Sequence, residues 1–484
     1  MKLGQTSLIY FLSRLLAAVL GFIATIYIAR LLGADPLGIY YLVLGVVSWL
    51  AIAGKIGVSG AISKRVSEGE ERVQYATAGT SFIAALFIIL AIGLFLFRPY
   101  VDSYIGYPAT GYIVLILLVT LSLSIVSALL KGLHLVHLKG VLSPVRTGTR
   151  SLLQIAAVAA GMGVAGLFLG YAAGYLLVFV IGGLFVIRSL SGFALPRKRH
   201  FRSLFDYAKF AWLGSLQSRM FNYTDVIVLG FFVPSALIGI YGVAWNVAQF
   251  LVLFAGAIST TLFPEMSELS AKEDSQSVAN LVEDALSYAG LLLIPGLIGG
   301  ILVGERLLRI YGEEFPQGAT ILGILILANL IMSYQNQILN TLNAIDRPDL
   351  SFRANVVFII GNISFNVVLV YLYGWVGAAV ATALSVTISL VVAYYMLDSI
   401  VDFAIPSREI GLQWIAAILM GGVVFAGLRF ENTYRVLSHN FATVILLVTL
   451  GAAVYFLILL AISSTFRTTV ANNLPFDVPL LGER

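Results

Sequence analysis

Apolar residues run along this chain in stretches too long for the elements of a water-soluble core. About 17–25 consecutive apolar residues cross roughly 30 Å of hydrocarbon. By that measure the pattern predicts fourteen spans, near residues 7–31, 37–60, 77–98, 109–131, 150–165, 167–188, 209–232, 236–262, 284–307, 316–341, 353–373, 375–397, 409–428 and 441–463. Spans five and six are separated only by Gly161-Met162-Gly163, and fourteen spans suit the polar breaks better than twelve. The expected fold is all-α and integral to a membrane.

Composition agrees. Of 484 residues, 60% are hydrophobic and only 11% charged, whereas soluble domains carry about 25% charged residues. The mean hydropathy is +0.97. With no cysteine in the chain, disulfides, thiolate metal sites, iron–sulfur clusters and cysteine nucleophiles are excluded together.

Charge sets the expected orientation. With the N-terminus inside, about 20 of the 29 Lys and Arg residues fall on inner segments, the bias of cytoplasmic loops. Inner links carry Lys64 and Arg65, then Lys131, Lys139, Arg146 and Arg150. The densest run is Pro196-Arg197-Lys198-Arg199-His200, with Arg202 just beyond. Such a run sets topology and meets anionic headgroups, not nucleic acid. Both termini are expected in the cytoplasm of a multi-pass cell-membrane protein, with the first span a retained helix.

The two halves echo one another. Ser13-Arg14 returns as Ser218-Arg219, and Gly38-Ile39-Tyr40 as Gly239-Ile240-Tyr241. Residues Ile62 to Glu68 align with Leu262 to Glu268, and Gly163-x-x-Gly166 with Gly374-x-x-Gly377. The offsets stay between 200 and 211. Six spans per half predict two parallel lobes, 1–200 and 201–403, related by an axis along the membrane normal. Residues 404–484 would be an appended helix pair with a short cytoplasmic tail. The expected pathway is a cleft between the lobes.

Deep polar side chains mark the candidate site, since ionisable groups inside a bilayer usually face a bundle interior or watery cavity. Arg14 lies about 10 Å into the first span, above a face of Ala17, Ala18, Gly21 and Thr25. It is either a cavity cation or a snorkelling arginine beside a packing face. In the seventh span Ser218, Asn222 and Asp225 share a face that Arg219 borders. Asp225 would couple to H+ or Na+ or orient Arg219, or else form a structural ion pair. Lys55 ends the second span, where a cavity role and snorkelling are both open. The stripe Asn355, Asn362 and Asn366, and Asn336 within Gln335-Asn336-Gln337, either bind cargo or join helices. His134 and His137 lack carboxylates on their own element, which argues against a metal site. No cofactor is expected. Bases outnumbering acids at depth suit an anionic cargo such as phosphate or pyrophosphate.

These motifs resemble the multidrug/oligosaccharidyl-lipid/polysaccharide transporter superfamily, most closely its polysaccharide (Wzx-type) flippase branch. The resemblance rests on Ser13-Arg14, Ala29-Arg30-Leu31-Leu32-Gly33, the two Gly-Ile-Tyr motifs, Asp225 with Leu229-Gly230, and Gly374-x-x-Gly377-Ala378-Ala379. It implies two six-helix lobes that open alternately. It also implies a cargo glycan on a polyprenyl (pyro)phosphate, moved to the outer leaflet. Arg14 and Arg219, and less directly Lys55, match the family's cavity cations. Glycan-polymerising or glycosyltransferase machinery is the implied partner, together with membrane lipids. The arginine–aspartate signature of lipid II flippases late in the first span is missing, since Ile23-Ala24-Thr25 follow Gly21-Phe22. The alternatives are a cation-coupled multidrug or small-molecule exporter and a membrane glycosyltransferase or polymerase. Short outer links and scarce acids weigh against the enzyme. No phosphate-cradling glycine loop followed by Lys and Ser or Thr supports ATP hydrolysis.

Overall fold

The computed structural model describes the backbone of residues 3–55, 57–190, 192, 194–211, 216–272, 274–434, 437 and 439–473, and the side chains of these except 3–15, 210–211, 216–220, 253–265, 271 and 275. Among the described residues the regular structure is helical throughout, as a chain without backbone partners in lipid requires. The molecule divides into two compact units, Met1–Gly242 and Val243–Arg484.

The first unit contains α1 (Leu3–Leu32), α2 (Ala34–Lys55), α3 (Val58–Ser67), α4 (Arg72–Leu96), α5 (Arg98–Ile105) and α6 (Thr110–Gly132). It continues with α7 (Val136–Ala159), α8 (Gly163–Ser189), α9 (Lys198–Ala211) and α10 (Leu216–Phe232). Helix α11 (Ser235–Ala271) starts in this unit and leads into the second. There follow α12 (Ser275–Ala289), α13 (Leu293–Arg309), a 3-10 turn at Phe315–Gly318, α14 (Ala319–Ala344), α15 (Pro348–Asp398), α16 (Ser407–Tyr434), α17 (Asn440–Ile462) and α18 (Ser464–Asn473).

Among the described residues, ten helices are long and apolar enough to cross a membrane. One of them, α15, holds two of the predicted runs and breaks at Gly374 (φ 59°, ψ −141°), a conformation that only glycine adopts without strain. Helix α4 leaves Ile88, Ile89, Ile92, Phe95 and Leu96 exposed, an apolar surface suited to lipid. The protein is a multi-pass membrane protein.

The repeated Gly-Ile-Tyr motifs acquire a physical reason. A Cβ on Gly38 would collide with the Ser235 carbonyl, and one on Gly239 with the Ala34 carbonyl. Positions 34 and 235, like 38 and 239, stand 201 apart, so the starts of α2 and α11 cross reciprocally. The Ser235 hydroxyl donates to Asp35 across this crossing.

One predicted boundary is corrected. The fifth run is expected near 150–165, with Arg146 and Arg150 on the inner link before it. Instead α7 begins at Val136, so both arginines lie within the helix. The hydropathy pattern stops at the charges, whereas the helix runs through them, with Pro144 inside it. The basic run near residue 197 is likewise partly helical, as α9. His200 is fully buried and accepts the Arg197 N–H at Nδ1 (2.8 Å), leaving Nε2 to donate to Glu71 Oε2 at 3.0 Å. Arg199 also donates to Glu71.

Candidate functional site

Helices α7 and α8 form an antiparallel hairpin whose spacing is set by small residues. A Cβ at Gly174 would lie 2.6 Å from Arg150 Cα, and one at Gly170 would lie 2.7 Å from Gln154 Cα. On its other side α7 meets α1, with Gly148 against Leu20 and Gly21 against Thr147. The close approach brings long polar side chains of α7 alongside rings of α8.

The Arg146 guanidinium carbon lies 5.2 Å from the Tyr175 ring centre, and that of Arg150 lies 5.6 Å from the Tyr171 ring centre. The two rings stack on each other at 4.3 Å and 19°. Spacing follows helical geometry: 146 and 150 are one turn apart on α7, as 171 and 175 are on α8. Beside them Gln154 Nε2 donates to the Tyr40 hydroxyl (3.1 Å) and to the Leu167 carbonyl (2.9 Å). Tyr40 and Tyr223 also lie within electrostatic reach of Arg150. Arg150 Nε is buried without a hydrogen-bond partner.

No carboxylate pairs with either arginine among the described residues. The sequence accounts for this, because no Asp or Glu occurs anywhere from Ser103 to Phe205. Two cations on one face of α7, faced by tyrosine rings and without a carboxylate partner among the described residues, are an arrangement able to receive an anionic group. Arginine matches phosphate bidentately, and the rings favour cations over their faces.

The predicted site residues fall unevenly. The side chains of Arg14, Ser218 and Arg219 lie outside the described residues. Lys55 ends α2 and is half-buried, as is Asn222 on α10. Asp225 is buried and accepts a hydrogen bond from the buried Tyr241 hydroxyl. This places the repeated motif tyrosines in use in both repeats, Tyr40 on Gln154 and Tyr241 on Asp225. In the second unit, Asn362 Nδ2 donates to Thr382 Oγ1 (3.1 Å) and Asn366 Nδ2 to the Asn362 carbonyl (2.9 Å). Both are fully buried between the arms of α15. Asn355 and Asn336 are half-buried, and the neighbouring Gln335 donates to Ser389. His134 and His137 are exposed, and no metal-holding group of His, Asp and Glu gathers among the described residues.

Sequence reasoning missed Arg146, Arg150, Gln154, Tyr171 and Tyr175. Two signals could have found them: the carboxylate-free stretch from 103 to 205, and the polar positions Lys139, Ser143, Arg146 and Arg150 at i, i+4, i+7 and i+11 on one helical face.

Comparison with known proteins sharpens this picture. A family model described as polysaccharide biosynthesis protein matches residues 3–270, and one described as MatE matches 213–368. The probable flippase AglR of Haloferax volcanii is 32% identical over 479 residues, covering 98% of each chain. The probable low-salt glycan biosynthesis flippase Agl15 of the same organism is 28% identical, covering 88% of this chain and 90% of its own. Among solved structures, the lipid II flippase MurJ in an inward closed conformation superposes with a TM-score of 0.80 at 17% identity, covering 96% of this chain and 99% of that one.

Proposed function

Because the chain belongs to the polysaccharide biosynthesis protein family, within the polysaccharide flippase branch of its superfamily, we propose that it is a flippase for a lipid-linked oligosaccharide. The cargo is a glycan on a polyprenyl (pyro)phosphate, moved from the cytoplasmic to the outer leaflet by alternating access. The protein is a transporter and not an enzyme. The observation that carries the choice of cargo is the pair Arg146 and Arg150, faced by Tyr175 and Tyr171 and without a carboxylate.

In this reading Arg150 and Arg146 hold the phosphate while Gln154 fixes the Tyr40 hydroxyl beside them. The stacked tyrosines offer π-faces to the guanidinium groups and apolar surface to the first sugar. Arg14, Arg219, Ser218, Asn222 and Lys55 extend the polar pathway. Asp225, held by Tyr241, is the coupling group for H+ or Na+. Ligand binding supplies the energy difference that shifts the balance between inward and outward states. Both termini lie in the cytoplasm of the cell membrane. The glycosyltransferases that assemble the glycan act before this step and the polymerising machinery after it.

The match to the MatE model raises the alternative of a small-molecule exporter, but unpaired cations repel the organic cations such an exporter would carry. The deciding experiment is flipping of a fluorescent lipid-linked sugar phosphate in vesicles containing the purified protein. Arg150→Ala should reduce it about 100-fold while the protein remains monodisperse. Full flipping by an Arg146→Ala, Arg150→Ala double variant, with export of organic cations instead, would overturn the assignment.

A further inference from the structure

The polar face of α7 does not stop at Arg146. Lys139 lies two turns earlier on the same face, half-buried, and within electrostatic reach of both Lys131 and Arg146. Lys131 sits in the last turn of α6 and is exposed. Ser143, also on this face, fills the step between Lys139 and Arg146. Neither lysine has a carboxylate partner among the described residues. Like charges gathered without a counter-ion repel one another, and a bound anion relieves that repulsion.

Distance separates this group from the tyrosine-backed arginine. Eleven residues divide Lys139 from Arg150, about 16 Å along a helix axis. Each side chain reaches only part of that distance, so a single phosphate does not bridge Lys139 and Arg150. Arg146 stands between and is within reach of either end.

We propose that Lys131 and Lys139, with Arg146, form a loading subsite for the phosphate of the cargo at the N-terminal end of α7, distinct from the mid-helix site of Arg150 and Tyr171. This rests on the flippase reading above and on its inner placement of the N-terminus, which puts the α6–α7 link at the cytoplasmic interface. The head enters between the two lysines, passes to Arg146, and is exchanged onto Arg150. At each step it moves from one cation to the next without crossing bare hydrocarbon. The division of labour is that the lysines set capture at low cargo concentration, and Arg150 sets passage once the head is held.

The test uses the full-length protein in phosphatidylcholine vesicles with fluorescent farnesyl pyrophosphoryl-N-acetylglucosamine, and neutral farnesyl N-acetylglucosaminide as control. Lys131→Gln, Lys139→Gln together should raise the half-saturating concentration of the charged probe about tenfold, the effect of roughly one charged contact. The maximal rate should fall by less than twofold, and Lys139→Arg should restore capture. Arg150→Ala should instead lower the maximal rate about 100-fold. An unchanged half-saturation in the lysine variant, with Arg150→Ala inactive, overturns the loading subsite and leaves the flippase reading standing. Normal flipping by Arg150→Ala overturns that reading itself. If the lysine effect appears only when phosphatidylglycerol is added, the lysines serve bulk anionic headgroups and the loading role is overturned.

Discussion

The α7–α8 hairpin and the two arms of α15 are the same structural device in the two repeats, and they hold opposite chemistry. Each turns at the repeated Gly-x-x-Gly, with Gly163 matching Gly374 at an offset of 211. At that offset Arg150 corresponds to Gly361, Gly174 to Ser385 and Tyr171 to Thr382. In the first hairpin the large residue is on the incoming helix and the gap is on the outgoing one. In the second the gap is at Gly361, and Ser385 Oγ lies 3.7 Å from where its Cβ would be. The first hairpin therefore presents rings and cations that have no carboxylate partner among the described residues. The second closes on itself through Asn362, Thr382 and Asn366. The same backbone device occurs twice, and the arginines and stacked rings stand in only one of the two hairpins.

The comparison can be broken most forcefully at Arg150. Alanine there should reduce flipping about 100-fold, since removing one side of a desolvated charge contact costs about 2–5 kcal/mol. Asn362→Ala should instead lower stability by about 1 kcal/mol, the scale of hydrogen bonds between membrane helices, read as a fall in melting temperature. A large flipping defect with normal stability in the asparagine variant would place cargo recognition in both hairpins.

The glycines give a pair with opposite signs. Gly174→Ala puts a methyl group against the Arg150 backbone at 2.6 Å and should cost about 1–3 kcal/mol of stability. Gly361→Ala meets only an ordinary contact at 3.7 Å and should be neutral or stabilising by up to about 1 kcal/mol. Thermal unfolding of the two purified variants checks both at once.

A smaller effect is expected from Tyr171→Leu, which removes the ring beneath Arg150. A cation–π contact is worth about 0.5–2 kcal/mol, so binding of a charged lipid-linked sugar should weaken by roughly 2- to 30-fold. Tyr171→Phe should stay close to the parent, and equal loss in both would assign the role to the hydroxyl.

The smallest effect lies away from both hairpins, where α9 docks on the α3–α4 link. The His200 hydrogen bond, with Arg199 beside it, holds the exposed Glu71 carboxyl below its ordinary range. A lowered carboxyl pKa contributes stability that is present above the unfolded value and lost as pH falls through the folded one. Amide exchange in α9 should therefore rise on acidification through the carboxylate range. Glu71→Gln should already exchange faster at neutral pH and show little further change.

Much of this was legible before any fold was known. The apolar runs announced membrane helices, the motifs recurred at a nearly constant offset, and Asp225 stood out as an acid where acids are costly. Of the amides in the eleventh span, Asn362 and Asn366 are fully buried and Asn355 is half-buried. The ring contacts of Arg146 and Arg150 were not legible, because a hydropathy pattern does not tell whether a helix ends at its charges or continues through them. Both look like charges at the end of an apolar run.

By itself the sequence determined that the chain is helical and membrane-embedded, because those properties follow from local composition and periodicity. It also determined the absence of carboxylates from 103 to 205, and so the lack of local partners for the arginines in that stretch. Only the tertiary structure decided that tyrosines one helix away would face Arg146 and Arg150, and that Gln154 would reach Tyr40 across 114 positions of sequence. Those contacts depend on how closely two helices approach, which is set by Gly170 and Gly174 against the opposing backbone, a distance that no single segment encodes.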